Sequence, residues 1–243
     1  MSRSFFGSVL TYELGKQLGI EAAAAELAEQ LRAPSVQSLP AVRVMARLAR
    51  LGELAVYHGA GTFLPKARSR AAHAALESGS DYWVMCDDDV ETDSATLEAL
   101  IAAAGPPNEL GAAVLPCLLR GNETERHTVN VQWDSELVEQ RPLGPVRRVA
   151  RAGCGLMVVT RTALRHVVDS SRPSLRFVDD DGIEKVAIFQ TVMVEDVRAN
   201  GAIRWLGEDL SFCTRLRAAD VEIFAPCAGI SVHDGYRLDL GSI

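Results

Sequence analysis

The chain has no Cys-x-x-Cys pair. Its five cysteines, at 86, 117, 154, 213 and 227, are odd in number and far apart, which excludes a zinc ribbon and a disulfide framework. Cys86, Cys117 and Cys154 lie in apolar runs and read as small core residues, a usage that fits a reducing, cytoplasmic compartment. Positive charge is also short: 25 Lys and Arg against 32 Asp and Glu give a net charge of -7, whereas general attachment to nucleic acid needs a basic face. The run Arg141, Arg147, Arg148 and Arg151 reads as a solvated loop face. No apolar stretch approaches the roughly 20 residues of a membrane-spanning helix, and no charged segment followed by a hydrophobic one opens the chain. The expectation is a cytoplasmic protein without a transmembrane segment. Internal repeats and low-complexity tracts are absent.

What is present is enough apolar sequence, 48% of 243 residues, to bury one full α/β core, and a single domain over 1–243 is expected. Residues 5–10 read as a first strand. Residues 20–31, rich in Ala, Glu and Leu, read as a helix stopped near Pro34, and Pro40 opens another with Val44, Leu48 and Leu51 at helical spacing. Residues 42–51 also carry Arg43, Arg47 and Arg50, a basic amphipathic pattern explained by packing on a core. Then follow strand 54–57, helix 66–76, strand 82–86, and a helix capped by Ser94 with Leu97, Leu100, Ile101 and Ala104 on one face. Alternation of this kind predicts a mainly parallel sheet with right-handed crossovers. Strands are expected at 112–115, 156–159 and 221–225. The polar stretches 120–140 and 170–200 read as binding loops, lids or hairpins, the second with a turn at Asp181-Gly182.

Three consecutive aspartates, Asp87-Asp88-Asp89, follow the apolar run 82–86. A strand ending in carboxylates carries a hard-cation site to the edge of a sheet, where open α/β folds bind ligands. Alternation along the strand sends Asp87 and Asp89 to one side and Asp88 to the other. A divalent Mn2+ or Mg2+ held by one or two carboxylates keeps positions free for substrate phosphates. Helix capping and surface turns are the plain alternatives for such a triplet.

Together with residues 67–72 (Ala-Arg-Ser-Arg-Ala-Ala), 153–157 (Gly-Cys-Gly-Leu-Met), Glu208-Asp209 with Arg215-Leu216, and His233, in that order, the triplet resembles the GT-A glycosyltransferases, especially the family-2-like group. The resemblance covers roughly residues 54–235. It implies a Rossmann-like α/β fold with a mostly parallel sheet, helices on both faces and a small antiparallel part. It further implies a nucleoside-diphosphate-sugar donor, Mn2+ or Mg2+, and a hydroxyl-bearing acceptor, a saccharide before a modified nucleic acid or protein. By the resemblance, Asp87, Asp89 and His233 hold the metal. Thr11, Tyr12, Arg68, Asp87 and Asp88 face the nucleotide, with Lys66 and Arg70 as lesser phosphate partners. Asp209 acts as base and Glu208 binds the acceptor, an assignment that applies to an inverting enzyme. Leu10 and Glu13 depart from the family's first-strand exit, and 12–50 reads as a helical insertion. Gly153 and Gly155 would admit the donor sugar or acceptor closely, and Trp133 and, better, Trp205 would stack on a sugar. A nucleotidyltransferase that makes activated sugars would show a glycine-rich basic loop after its first strand, where Gly7 and Gly15 stand isolated. A non-catalytic nucleotide-sugar binder would have no need of Asp209 beside a metal site.

Overall fold

Successive residues of the apolar strands point to opposite sides of one sheet, and each side carries its own core. In the computed structural model, which describes residues 3–10, 40–59, 63–118, 129–196, 201–233 and 236–243, the eight strands of that sheet are β1 (Ser4–Leu10), β2 (Glu53–Gly59), β3 (Tyr82–Asp87), β5 (Gly111–Val114), β6 (Val131–Arg141), β7 (Gly144–Ala152), β8 (Leu156–Thr160) and β13 (Glu222–Pro226). Their order is β2-β1-β3-β8-β5-β13-β7-β6. β1 runs parallel to β2 and β3, and β5 runs parallel to β13. Only β8 and β7 are reversed against their neighbours. The remaining strands share one direction, the mostly parallel Rossmann-like α/β arrangement expected.

Helices α1 (Pro40–Leu51), α2 (Leu64–Ser78), α3 (Ser94–Ala104), α4 (Arg161–Ser170) and α5 (Glu208–Ala218) cover both faces. Trp83, Met85, Met157 and Val159 pack with Ala71 and Ala75 of α2, Leu164 of α4 and Phe212 of α5. Tyr82, Val84, Leu156 and Val158 pack on the other face with Val44 and Leu48 of α1 and with Leu97 and Ile101 of α3. The basic amphipathic pattern of α1 is therefore that of a core-packed helix. The cap expected for α3 needs a one-residue correction: Asp93, not Ser94, accepts from the Thr96 N–H at 2.7 Å, because Asp93 holds the extended backbone that an N-cap requires.

Among the described residues, three small antiparallel sheets accompany the large one. One joins β4 (Val90–Thr92) to β14 (Ile230–His233) and β15 (Tyr236–Asp239). The stretch 170–200 contains a hairpin of β9 (Arg176–Val178) and β10 (Glu184–Val186), turned at Gly182 with φ 77°, and a second pair, β11 (Val192–Asp196) and β12 (Ala202–Leu206). The turn at Asp181-Gly182 is as expected. The helix expected at 20–31 lies outside the described residues.

At the far edge of the large sheet, part of the polar stretch 120–140 is β6, paired antiparallel with β7, so the hairpin among the forms expected for that stretch is the one found. The basic run accordingly sits on a hairpin rather than a loop. Arg147 is buried, its guanidinium lies 4.1 Å from the Trp133 ring centre, and it donates to the Ile243 carbonyl at 3.0 Å and to Glu136 at 2.7 Å. Long arginine stems cover apolar sheet surface here. Trp133 is thus occupied by an arginine and offers no open platform to a sugar.

Candidate functional site

β3 ends in register with β1, Asp87 opposite Leu10, so the acidic triplet stands at the edge of the sheet where parallel strands β1, β2 and β3 all finish. Asp87 closes the strand, Asp88 and Asp89 make the turn, and β4 begins at Val90. The reversed strand β8 meets the triplet from the side: the Asp87 N–H donates to the Gly155 carbonyl at 2.7 Å. A Cβ on Gly155 would stand 3.1 Å from Val90 Cγ2 and 3.8 Å from Asp87 Oδ2, and one on Gly153 would stand 3.1 Å from Asn130 Nδ2. These glycines therefore serve close packing within the chain, in place of the expected approach of a sugar.

The tail reaches the triplet through β14, whose pairing with β4 sets His233 opposite Val90. His233 Nε2 lies 3.5 Å from Asp89 Oδ2, and His233 Nδ1 lies 2.7 Å from the Leu118 carbonyl oxygen. A carbonyl only accepts, so Nδ1 carries the proton, and in the neutral ring Nε2 turns its lone pair toward Asp89. An imidazole nitrogen and a carboxylate oxygen facing one another, with the imidazole oriented from behind by a backbone carbonyl, is a donor pair suited to a cation. Among the described residues, no three of His, Cys, Asp and Glu gather into a fuller cage.

Asp87 is directed elsewhere. Arg68, one turn into α2, is buried with its side chain 3% exposed, and its Nη2 donates to both Asp87 oxygens at 2.9 and 3.2 Å. Its Nη1 donates to Glu208 at 3.3 Å and pairs closely with Asp209. The Phe189 ring lies 5.8 Å beneath the guanidinium. Desolvation pushes the Asp87 carboxyl up to about 6; the Arg68 charge opposes this shift, and Asp209 and Asp89 reinforce it. Asp87 raises the already high Arg68 value, against the opposing effect of burial.

Glu208 and Asp209 form the first turn of α5, where unpaired N–H groups and the helix dipole favour carboxylates. Gly207 supplies no side-chain cap, and the Ser211 hydroxyl, which donates to the Gly207 carbonyl at 2.7 Å and accepts from the Val192 N–H at 3.1 Å, ties the base of the β11–β12 hairpin to this turn. Trp205, two residues before Gly207, is 71% exposed on that hairpin and stands opposite Met193.

The structure thus brings together Arg68, Asp87, Glu208 and Asp209 in one group, and Asp89 with His233 in another. Asp88 lies in the turn between β3 and β4, and Thr11 and Tyr12 lie outside the described residues. Lys66 and Arg70 face away from the triplet to a second acidic run: Lys66 Nζ is 3.1 Å from Asp180, and Arg70 Nε is 2.7 Å from Asp179. Their expected part in phosphate binding is replaced by ion pairs. The residue that sequence reasoning missed is Leu118, whose carbonyl orients His233. A backbone acceptor has no side-chain signature by which it could have been found.

No protein-family model and no curated protein matches the chain. Among solved structures it is similar to A197 from STIV, with 12% identity over 95% of this chain and 85% of that chain and a TM-score of 0.49. It is also similar to mannose-1-phosphate geranyltransferase from Thermus thermophilus, with 15% identity over 70% of this chain and 65% of that chain and a TM-score of 0.33. Likenesses at these scores carry no argument about what the chain does.

Proposed function

We propose that the chain is a metal-dependent glycosyltransferase of GT-A type, moving a sugar from a nucleoside diphosphate to a hydroxyl acceptor. The observation that carries this reading is the facing pair Asp89 and His233 at the end of the parallel strands, next to the Arg68-linked carboxylates. The donor set of one carboxylate oxygen and one imidazole nitrogen, Asp89 and His233, would suit Mn2+ better than Mg2+. Such a cation, when bound, offsets the charge that builds on a departing diphosphate.

The chain's own residues divide the remaining work. Asp89 and His233 hold the cation, and Leu118 fixes the imidazole tautomer. Asp88, Thr11 and Tyr12 are assigned to the nucleotide side of the site. Asp209, at the open end of α5, accepts the proton of the acceptor hydroxyl, and Glu208 beside it holds the acceptor. Trp205 on the adjoining hairpin offers an exposed ring face to an acceptor sugar.

A thermal-shift screen of nucleoside diphosphates and nucleotide-sugars, with and without Mn2+, tests the reading. Ligands that bind the folded state raise the midpoint. At least one nucleotide is expected to do so only when Mn2+ is present, and Asp89→Ala is expected to abolish that Mn2+-dependent part. A flat response across the panel, or an undiminished shift in Asp89→Ala, would remove the metal-nucleotide site from this position.

A further inference from the structure

We infer that Arg68 is a positioning residue that fixes the candidate base Asp209 against the donor-side carboxylate Asp87, rather than a ligand for phosphate. The inference rests on the proposed function and assigns Arg68 a task within it. Three elements distant in sequence meet at this side chain: Arg68 comes from α2, Asp87 from the end of β3, and Glu208 and Asp209 from the start of α5. Both terminal nitrogens are engaged by these carboxylates, and the side chain is 3% exposed, leaving it no open face toward a ligand. By contrast the acids it holds keep an outer side in water: Asp87 is 32% exposed, Glu208 26% and Asp209 24%. The guanidinium therefore stands behind the carboxylates, and they stand between it and solvent.

The shape of the group explains why an arginine is placed here. A planar guanidinium presents two terminal nitrogens in a fixed fork, and here one prong takes Asp87 while the other takes Asp209 and Glu208. A point charge such as an ammonium has the same sign but cannot span both sides at fixed separation. The aromatic ring of Phe189 beneath the fork limits its freedom to turn, and Phe189 itself packs on Phe212 at 4.4 Å between ring centres and edge-on to Trp83 at 6.1 Å. Phe212 belongs to α5 and Trp83 to β3, so the same two elements that supply the acids also brace the Phe189 ring under the arginine.

The test is Arg68→Lys in the full chain, measured two ways. Binding of the Mn2+-dependent nucleotide found with the unaltered chain is followed by titration, and kcat is followed as nucleoside diphosphate released from the matching nucleotide-sugar. A positioning role predicts nucleotide affinity and donor KM within about threefold of the unaltered chain, with kcat lower by about 100-fold, the scale of an ångström's misplacement. A phosphate-binding role predicts the opposite split, a loss of nucleotide affinity as large as the loss of turnover, and that result would overturn the inference. Unchanged kcat would overturn it as well. Arg68→Gln carries the same two measurements if the lysine variant does not fold. Failure of both to fold makes Arg68 a purely structural residue and also overturns the inference. If the unaltered chain binds no nucleotide with Mn2+, the proposed function itself fails and this assignment falls with it; binding by the unaltered chain combined with lost binding in Arg68→Lys sinks the assignment alone.

Discussion

Helix α2 carries two charge clusters on opposite sides, and they are built on opposite balances. On the inner side a single cation, Arg68, meets three carboxylates, Asp87, Glu208 and Asp209. On the outer side three cations, Lys66, Arg70 and Lys185, meet three carboxylates, Asp179, Asp180 and Asp181, of the β9–β10 turn. In the balanced cluster Arg70 and Lys185 hold Asp179 far below the usual carboxylate range. Within the unbalanced one Asp87 is pushed up to about 6. Equal numbers of opposite charges make a clamp, whereas an excess of acid beside Asp89 leaves negative charge that a cation or a reacting hydroxyl can use. The same residue types thus serve fastening in one place and, under the proposed function, chemistry in the other.

The largest effect that would sharpen this contrast is expected at Asp179. Its side chain is 2% exposed and accepts from Arg70 Nε at 2.7 Å and from Lys185 Nζ at 2.8 Å. Asp179→Ala leaves those cations without their shared partner, and a loss of about 3 kcal/mol in denaturant unfolding is expected. A loss below about 1 kcal/mol, the range of exposed pairs, would break the clamp reading.

The next effect concerns pH. Asp87 keeps its proton in the folded chain up to about 6, while in the unfolded chain it releases it near the ordinary carboxylate value of about 4. The folded state therefore binds more protons across that window, and Asp87 makes stability fall as pH rises from about 4 to about 6, with no further change above. For Asp179 the sign is reversed: its depressed folded value contributes stability that is present above about pH 4 and is lost on further acidification. Unfolding of Asp87→Asn measured from about pH 2 to 7 is expected to lack the decline between pH 4 and 6 and to keep the acid loss below about pH 4. A variant with an unaltered slope between pH 4 and 6 would contradict the desolvation of Asp87.

The smallest effect is expected at Asp180, whose side chain is 78% exposed although it touches both Lys66 and Arg70. Asp180→Asn should lower the midpoint slightly in dilute buffer and not measurably in 1 M salt, because exposed pairs are screened. An equal loss in both buffers would show that Asp180 belongs to the buried part of the clamp.

Much of the frame was legible in local sequence. Strand–helix alternation from 40 to 104 announced the parallel half of the sheet, and Asp181-Gly182 announced its turn. In the sequence Lys66, Arg68 and Arg70 read alike as phosphate partners, although four-residue spacing along α2 puts Lys66 and Arg70 on one face and Arg68 on another. What those faces meet was not legible, since Arg70 and Asp179 are 109 residues apart and Arg68 and Asp209 are 141 apart. Arg147 and Trp133 illustrate the same limit. An arginine in a basic run and a tryptophan in a polar stretch look available on paper, yet the β6–β7 pairing stacks one on the other.

By itself the sequence determined the α/β class, the carboxylates at the end of β3 and the acidic start of α5, because periodicity, turn chemistry and helix-end preferences act within a few residues. Only the tertiary structure decided that His233 faces Asp89, that Arg68 is enclosed by acids, and that the second aspartate run is neutralised. Those outcomes depend on β14 pairing with β4, and on helices α2 and α5 packing on the same face of the sheet. Long-range pairing sets the surroundings of each charge, and those surroundings separate a clamp from a site.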